Sequence, residues 1–165
     1  MNSAAFPDLA WRSCPFDELT PRELQDIYMA RQQVFAIEQN CVYLDADGYD
    51  EASWHIAAWS AVQRMPLAYA RLVAPGFKYA EPSIGRVITT AAARGTGLGR
   101  ELVRRATALS ARLYPQHGIR ISAQSRLETF YQEAGFVIVG ERYMEDGIPH
   151  TEMLRAAAKA GPAPG

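Results

Sequence analysis

The stretch Arg94-Gly95-Thr96-Gly97-Leu98-Gly99 lies between an apolar run at residues 84–88 and a long amphipathic segment that starts at Leu98. A glycine-rich turn that leads into a helix leaves the first backbone N–H groups of that helix without intrahelical acceptors, so they can bind an anion. The glycine spacing restricts which phosphate ligand fits. A dinucleotide-binding G-x-G-x-x-G pattern would need glycine at Arg100, and a P-loop would need Gly-Lys followed by Ser or Thr. The turn therefore predicts a phosphate site of the form Arg-x-x-Gly-x-Gly.

The composition indicates one globular domain. The chain has 165 residues, of which 48% are hydrophobic, enough for one buried core and too little for two. We expect a single domain over residues 1–155. Residues 156–165 are rich in Ala, Gly and Pro and have little to bury, so we expect a mobile C-terminal tail there.

The charge balance argues against polyanionic partners. Lys and Arg number 17 and Asp and Glu 18, for a net charge of −1, so no long-range attraction draws the chain to nucleic acid or to an anionic membrane. The first residues lack the features of a signal peptide, and no apolar run approaches the ~20 residues of a membrane span. Cys14 and Cys41 show no zinc-ligand spacing and suit a reducing compartment. A soluble, cytoplasmic protein is expected.

The first third of the chain predicts one helix and an acidic loop. Thr20-Pro21-Arg22-Glu23 has the form of a capping box, and apolar residues recur at helical spacing after it, so we expect a helix over residues 21–37. Residues 40–53 carry several aspartates without periodicity, which predicts a solvated acidic loop. Their order departs from that of an EF-hand loop, and we expect no metal there.

Strand and helix signals alternate through the rest of the chain. A short helix is expected to open at a second capping box, Ser125-Arg-Leu-Glu128, and to end before Gly135. Glu145-Asp146-Gly147 predicts the turn of a hairpin. The other expected elements are a helix from Leu98 to Leu113 and strands over residues 55–59, 67–73, 84–90, 119–123, 136–139, 142–144 and 148–154. This order predicts an α/β layered domain with a mixed sheet.

Several segments resemble the GNAT superfamily of N-acetyltransferases. Arg-x-x-Gly-x-Gly is the pyrophosphate-binding pattern of that superfamily, in which the turn holds coenzyme A. Residues 127–136, Leu-Glu-Thr-Phe-Tyr-Gln-Glu-Ala-Gly-Phe, resemble its second cofactor motif, which ends in Tyr-x-x-x-Gly-Phe. Residues 35–41, 45–48 and 145–150 with Met153 resemble the ElaA family within GNAT. The resemblance spans roughly residues 11–154 and implies the GNAT fold, a mixed and mostly antiparallel sheet flanked by helices.

The resemblance implies acetyl-CoA as the co-substrate. Backbone N–H groups of the glycine turn would bind its pyrophosphate, helped by the helix dipole. The main chain at Val87 and Ile88 would pair with the pantetheine arm, because GNAT strands splay apart here, and one N–H would also hold the thioester oxygen. Gln124 stands where many GNAT enzymes have Asn, as is common in ElaA-like proteins. For Arg94 and Arg100, the alternative to phosphate contact is a solvated position on the surface. The candidate cofactor residues are Val87, Ile88, Arg94, Gly95, Thr96, Gly97, Leu98, Gly99, Arg100 and Gln124.

The implied reaction is direct attack of a primary amine, on a small molecule, a peptide or a protein, on acetyl-CoA in a ternary complex. An alkylamine with a pKa near ~10.4 is neutral in about one molecule in several thousand at pH 7, a barrier of roughly 4 to 5 kcal/mol. A general base must therefore deprotonate the amine. Tyr131, in the second motif, is the candidate general acid for the departing thiolate, with an ordinary packed aromatic as the alternative.

The sequence leaves the base open among Glu38, His55, Glu141 and His150. Each also has a purely structural interpretation, from an exposed acid to a packed imidazole. Glu38 would in addition attract a cationic amine, and the ordinary pKa of histidine suits proton transfer at neutral pH, which favours His150.

Two other classes of protein stay open. A non-catalytic acyl-CoA-binding or sensing protein would keep the phosphate turn and lack an open amine pocket. A nucleotide-binding switch is disfavoured by the missing P-loop lysine. The acceptor, the acyl-chain preference and the oligomeric state are not determined, although edge strands at the terminal hairpin favour a homodimer.

Overall fold

The sheet consists of two halves joined at one end. The computed structural model describes residue 6 and residues 8–159. The first half contains the antiparallel strands β1 (Ala10–Pro15), β2 (Ser53–Trp59), β3 (Ala68–Val73) and β4 (Ser83–Thr89) in that order. The second half has the order β5 (Ile119–Gln124), β8 (Ile148–Arg155) and β6 (Val137–Ile138), and β7 (Tyr143–Glu145) also pairs with β8.

A single backbone hydrogen bond marks the junction of the halves. The N–H of Arg120, the second residue of β5, donates at 3.1 Å to the carbonyl of Pro82, which directly precedes β4. In the described part of the chain no ladder continues between these two strands. They therefore separate toward their last residues and leave backbone groups of β4 unpaired on that side.

Helices cover both faces of the first half. The helix α2 (Leu98–Leu113) packs on one face with residues such as Leu102 and Ala106, against Ile56 and Leu72. The helix α1 (Pro21–Gln32) packs on the other face through Ile27. The short helix α3 (Glu128–Glu133) adds to the first core. The architecture is the mixed, mostly antiparallel sheet flanked by helices that the sequence predicts. Within residues 8–159, no helix combines the length and apolarity needed to cross a bilayer.

The first helix begins as predicted and ends in a wider turn. The N–H of Glu23 donates to Thr20 Oγ1 at 3.1 Å, and the Thr20 N–H donates to Glu23 Oε2 at 2.9 Å, so the capping box is confirmed. After Gln32 the chain continues as a π-helical turn over Gln33–Glu38. Such turns are frequent at functional sites, and this one carries the chain from α1 to the open side of β4.

A bulge in β4 reverses the facing of its side chains. Ile84 packs with α2 and Ile88 packs with α1, although four residues of regular strand would leave both on one face. The register shifts between Tyr69 and Arg71 of β3, opposite Arg86, which has φ +49°. An extra residue in one strand reverses the alternation in this way. The bulge therefore lets β4 pack against α2 at its start and against α1 at its end. It also makes the backbone irregular near the end that separates from β5.

The prediction of a second capping box is wrong. Leu127 occupies the N-cap position of α3 and makes no side-chain cap. The Ser125 hydroxyl lies 2.7 Å from Thr151 Oγ1, and the Thr151 hydroxyl donates to Glu128 Oε1 at 2.5 Å. Thr151 of β8 thus takes both partners of the expected box. The end of α3 is as predicted, because Gly135 follows it with φ +92°.

The other predicted strands and helices are present, and the structure adds one strand, β1. The hairpin turn between β7 and β8 is confirmed, with Asp146 and Gly147 both at positive φ. The strand β1 is not predicted from the sequence, because it lies on an edge of the sheet and only one of its six residues is buried, so it lacks an apolar pattern. Of the expected tail, residues 156–159 are exposed without regular structure, and residues 160–165 lie outside the described residues.

The aspartates of the acidic loop are paired with arginines instead of solvated, which corrects the sequence prediction. Its aspartates meet three arginines from α1, β3 and β4 in ion pairs of 2.6 to 3.2 Å. We call this the arginine–aspartate network; its members are Arg31, Arg71, Arg86, Asp45, Asp47 and Asp50. Burial raises the pKa of the Asp47 carboxyl, but hydrogen bonds from Arg71 outweigh burial and bring that pKa down to about 2. The network holds residues 45–50 against the sheet.

Candidate active site

Two cavities meet where β4 and β5 separate. The first, which we call the turn-side cavity, has a volume of about 660 Å³ and is lined by the end of β4, the glycine turn and α3. The second, the loop-side cavity, has a volume of about 350 Å³ and lies between β4, β5, the loop after α1 and the β7–β8 hairpin. The residues that line both are Gln39, Val87, Arg126, Leu127 and Tyr131.

The glycine turn opens into the turn-side cavity. Gly95 and Gly97 have φ +76° and +84°, and a Cβ at either would meet no atom within 4 Å. Gly97 is the N-cap of α2, and the Glu101 N–H donates to the Gly97 carbonyl at 3.2 Å. Thr96 and Leu98 do not line the cavity: the Thr96 hydroxyl donates to the Ala93 carbonyl at 2.6 Å and accepts from the Leu98 N–H at 3.4 Å, and Leu98 is buried. The N–H groups of Gly99 and Arg100, which line the cavity, are left for a ligand such as a diphosphate.

The two arginines of the turn have protein partners. Arg94 pairs with Glu38 and also donates to the Thr89 carbonyl at 3.0 Å. Arg100 pairs with Glu133 at 2.9 Å on the surface. Both arginines and Glu38 line the turn-side cavity, and Glu38 does not line the loop-side cavity. Glu38 is therefore placed as the counterion of Arg94 beside the glycine turn.

Replacing Gly97 with alanine is expected to weaken coenzyme A binding by about tenfold, because a Cβ would stand where the main chain must approach a phosphate. Alanine at positive φ also costs the fold about 1 kcal/mol. Gly76 is the matched control, since it has φ +87°, equally open surroundings and no place in either cavity. Calorimetric titration with coenzyme A should separate the two variants. Equal weakening in Gly76→Ala and Gly97→Ala would contradict a role for the turn.

The predicted pantetheine contacts lie between the cavities. Val87 lines both cavities, and Ile88 lines the turn-side cavity while it pairs with Tyr69 of β3. Gln124 lies at the end of β5, where its Nε2 donates to Gln39 Oε1 at 3.0 Å. This hydrogen bond connects β5 to the chain after α1 across the open end. The structure thus brings Gln124 to the junction, with its amide already engaged by Gln39.

Tyr131 lies at the same junction. Its ring packs edge-on against Phe130 and Phe136, with centroids 5.1 and 5.8 Å away, and the residue is 6% exposed. Burial raises the pKa of the phenol well above its usual range, and the Arg126 cation opposes that rise only in part. The hydroxyl therefore keeps its proton at neutral pH, which a general acid requires.

The four candidate bases lie in different environments. His55 is buried, with Nδ1 2.7 Å from the Tyr69 hydroxyl and Nε2 2.9 Å from the Asp50 carbonyl, and lines neither cavity. Burial lowers its pKa. Both ring nitrogens are occupied within the core, so His55 has no nitrogen open to either cavity. Glu141 is exposed between β6 and β7 and lines neither cavity either.

His150 is the candidate that lines the loop-side cavity. Its Nδ1 lies 2.8 Å from the Ile148 carbonyl, an acceptor, so Nδ1 carries the hydrogen of the neutral ring. That leaves Nε2 as the acceptor, 3.5 Å from Glu145 Oε2.

Sequence reasoning missed several charged residues of the loop-side cavity. Arg126 lines both cavities beside Tyr131, and Lys78 reaches the loop-side cavity from the connection between β3 and β4. Lys78 belongs to no motif, and Arg126 lies within the predicted capping box only at a position where any residue is allowed. Only the folded chain brings them together, so no pattern of spacing would have identified them.

The comparisons with known proteins agree with this geometry. The model of the acetyltransferase (GNAT) domain matches residues 62–156. The ElaA protein of Escherichia coli is 35% identical over 154 residues, with 92% of this chain and 99% of that protein covered. A Synechocystis relative, UPF0039 protein sll0451, is 42% identical over 147 residues, with 89% and 95% covered.

Two crystal structures show the same fold. An acyl-CoA N-acyltransferase from Pseudomonas aeruginosa superposes with a TM-score of 0.85 at 40% identity, covering 90% of this chain and 99% of that one. The crystal structure of E. coli ElaA gives a TM-score of 0.83 at 35% identity, with 89% and 99% covered. The chain belongs to the GNAT acyltransferases and, within them, to the ElaA-like family. Acyl transfer from a coenzyme A thioester is the chemistry this membership supports.

Proposed function

We propose that the protein is an N-acetyltransferase that moves an acetyl group from acetyl-CoA to a primary amine by direct attack. The observation that supports this proposal most strongly is the meeting of two cavities at Val87 and Tyr131. The turn-side cavity would take the coenzyme, and the loop-side cavity the amine. Reaction would occur at their junction, where both substrates have access.

The roles follow from the positions of the groups. The glycine turn would bind the diphosphate, and the main chain at Val87 would hold the pantetheine arm and the thioester oxygen as negative charge develops on it. The amine nitrogen attacks the thioester carbon, and the C–S bond breaks as the C–N bond forms. Tyr131 would donate its proton to the departing sulfur, and the proton that the nitrogen loses on becoming an amide would restore the Tyr131 phenol through water. Holding both reactants in one place replaces a bimolecular encounter with an intramolecular one.

His150, together with Glu145, is the general base we propose. Its Nε2 is the acceptor nitrogen, and it lines the cavity assigned to the amine. Glu38 is less suited, because it lies in the other cavity and pairs with Arg94. The ammonium proton of the acceptor would pass to His150 Nε2, and Glu145 would stabilise the imidazolium.

Replacing His150 with glutamine is expected to lower kcat/KM by about 10²-fold, because general base catalysis contributes at least that much. Glu141→Gln changes an exposed acid of the same region and should leave kcat/KM unchanged. Release of free coenzyme A thiol measures both rates. An H150Q protein with wild-type kcat/KM would remove His150 from the proposed mechanism.

Thiol release in the presence of acetyl-CoA and a broad panel of primary amines, including small molecules and peptides, tests the proposal as a whole. Acetylated product with stoichiometric thiol release supports the enzyme. Tight coenzyme A binding with no thiol release from any amine would favour the alternative, a non-catalytic acyl-CoA sensor. Substituting longer acyl-CoA thioesters in the same assay defines the acyl preference.

The proposal also covers the extent of the domain, the location of the enzyme and its oligomeric state. We propose one domain over residues 1–155 that works in the cytoplasm, without a nucleic acid or membrane partner. A homodimer is proposed through the exposed apolar edge formed by Val137, Ile138 and Met144, which are 59%, 43% and 65% exposed.

A further inference from the structure

Lys78 is a cation of the loop-side cavity that lacks an ion pair. It is one of only two lysines in the chain, the other being Lys159. It is half-buried on the connection between β3 and β4, and its Nζ lies 5.6 Å from the centre of the Tyr79 ring. Among the described residues, no carboxylate forms a salt bridge with it. A cation in this position is the feature of the cavity that the proposed chemistry does not use.

The neighbouring arginines cannot serve the same purpose, because their charges are already matched. Arg71 donates to both carboxylate oxygens of Asp47, at 2.7 and 2.6 Å. Arg86 pairs with Asp45 at 2.9 Å and with Asp47 at 3.1 Å. The arginine–aspartate network contains three guanidinium groups and three carboxylates, so it is neutral as a whole. Lys78 is the charge left over on this side of the cavity.

The remaining charged groups of the cavity lie elsewhere. Glu145 faces His150 and accepts from the Ser122 hydroxyl at 3.2 Å, and Asp146 is exposed in the hairpin turn. Arg126 lies at the junction with the turn-side cavity. Burial lowers the pKa of Lys78; Glu145 opposes this, and Arg71 and Arg86 add to it. A cation that is partly desolvated beside other cations gains most from an anionic ligand.

We propose that the amine acceptor also carries a carboxylate, and that Lys78 binds that carboxylate and selects for it. This inference rests on the proposed function, since it assigns the acceptor to the loop-side cavity. A single unmatched positive charge favours a single negative charge on the ligand. The amino group would then lie toward His150 and Glu145, whose carboxylate attracts an ammonium ion. Lys78 is thus a specificity residue that does not touch the reacting atoms.

The test compares matched acceptors in wild-type protein and variants. The probes are ω-amino carboxylates of three to eight carbons and the n-alkylamines of equal chain length, assayed by thiol release from acetyl-CoA. In the wild type, kcat/KM should favour one or more of the amino carboxylates by about ten- to a hundredfold, as expected for a charge-assisted hydrogen bond. Lys78→Gln should abolish the preference through KM, with kcat for the alkylamines unchanged. Lys78→Arg should retain part of it, and Lys159→Gln, an exposed lysine, should retain all of it.

Calorimetry of the coenzyme A complex with the same amino carboxylates gives a second readout that does not need turnover. Binding that is about tenfold weaker in Lys78→Gln, without thiol release in any variant, would support the carboxylate site and overturn the proposed enzyme. Turnover without a preference for the amino carboxylates, or with a preference that survives Lys78→Gln, would overturn the inference and leave the enzyme standing. If the protein shows no turnover and no Lys78-dependent binding, both the proposed enzyme and the carboxylate site are overturned.

Discussion

The Tyr131→Phe variant is expected to lose about 10²- to 10⁴-fold in kcat at neutral pH while it binds coenzyme A as the wild type does. The ring of phenylalanine keeps the edge-on packing against Phe130 and Phe136, so the junction of the cavities keeps its shape. The missing hydroxyl removes the proton for the departing thiolate. Steady-state thiol release and calorimetric titration with coenzyme A measure the two quantities separately.

The pH profile distinguishes a proton donor from a merely structural hydroxyl. The pKa of a thiol is near ~8.5, so above that pH the thiolate departs without protonation. The defect of Tyr131→Phe should therefore narrow as the pH rises above about 8.5. Tyr114→Phe is the matched control, since Tyr114 packs at the end of α2 and lines neither cavity. A Tyr131→Phe protein with wild-type kcat at neutral pH would exclude this tyrosine as the acid.

Removing the carboxylate of Asp50 is expected to destabilise the fold by about 3 to 5 kcal/mol, because two buried guanidinium groups would lose a partner. Asp50 Oδ1 accepts from Arg31 Nη1 at 2.8 Å and from Arg71 Nη1 at 3.2 Å, and its side chain is 5% exposed. Urea unfolding of Asp50→Ala at neutral pH measures the loss. Its neighbour Glu51 is exposed, and Glu51→Ala should change the free energy of unfolding by no more than about 0.5 kcal/mol.

The acid limb of the stability curve provides an independent check. Burial raises the pKa of Asp50, but hydrogen bonds and charge from Arg31 and Arg71 outweigh burial, and the pKa is lowered from its usual 3.8. The stabilisation by this carboxylate is therefore complete above that usual value and is lost as the pH falls through the lower folded value. Asp50→Ala should lose less stability on acidification than the wild type. If Asp50→Ala and Glu51→Ala unfold at the same urea concentration, the network does not stabilise the fold.

The arginine–aspartate network also fixes residues 45–50, which form one side of the loop-side cavity. Residues 45–50 contain no regular strand or α-helix, and without ion pairs a loop of this composition would be exposed. Arg86 sits at the bulge with φ +49°, a conformation that costs a non-glycine residue about 1 to 2 kcal/mol. Its contacts with Asp45 and Asp47 offset that cost. One set of ion pairs thus holds the loop, the bulge and the cavity wall together.

The parts of the structure that the sequence predicted are those in which the deciding residues are close together in the chain. The capping box at Thr20, the glycines of the phosphate turn and the Asp146-Gly147 hairpin act through backbone conformation over two to four residues. The resemblance to a known family extended these signals to the fold and to the position of Tyr131. Such features can be predicted from neighbouring residues because their geometry does not depend on packing against distant segments.

The remaining features arise from contacts between distant segments. Thr151 displaces the expected cap at Ser125, and Asp50 and Tyr69 occupy both nitrogens of His55, a candidate base by composition alone. Ion pairs hold a loop that is predicted to be solvated against the sheet as a wall of the cavity, and the neutrality of the arginine–aspartate network leaves Lys78 without a counterion. Sequence by itself determined the family, the order of the main elements after β1 and the glycine turn before α2. Only the tertiary structure decided which titratable groups share a cavity, because burial and charge pairing depend on which distant residues the fold brings together.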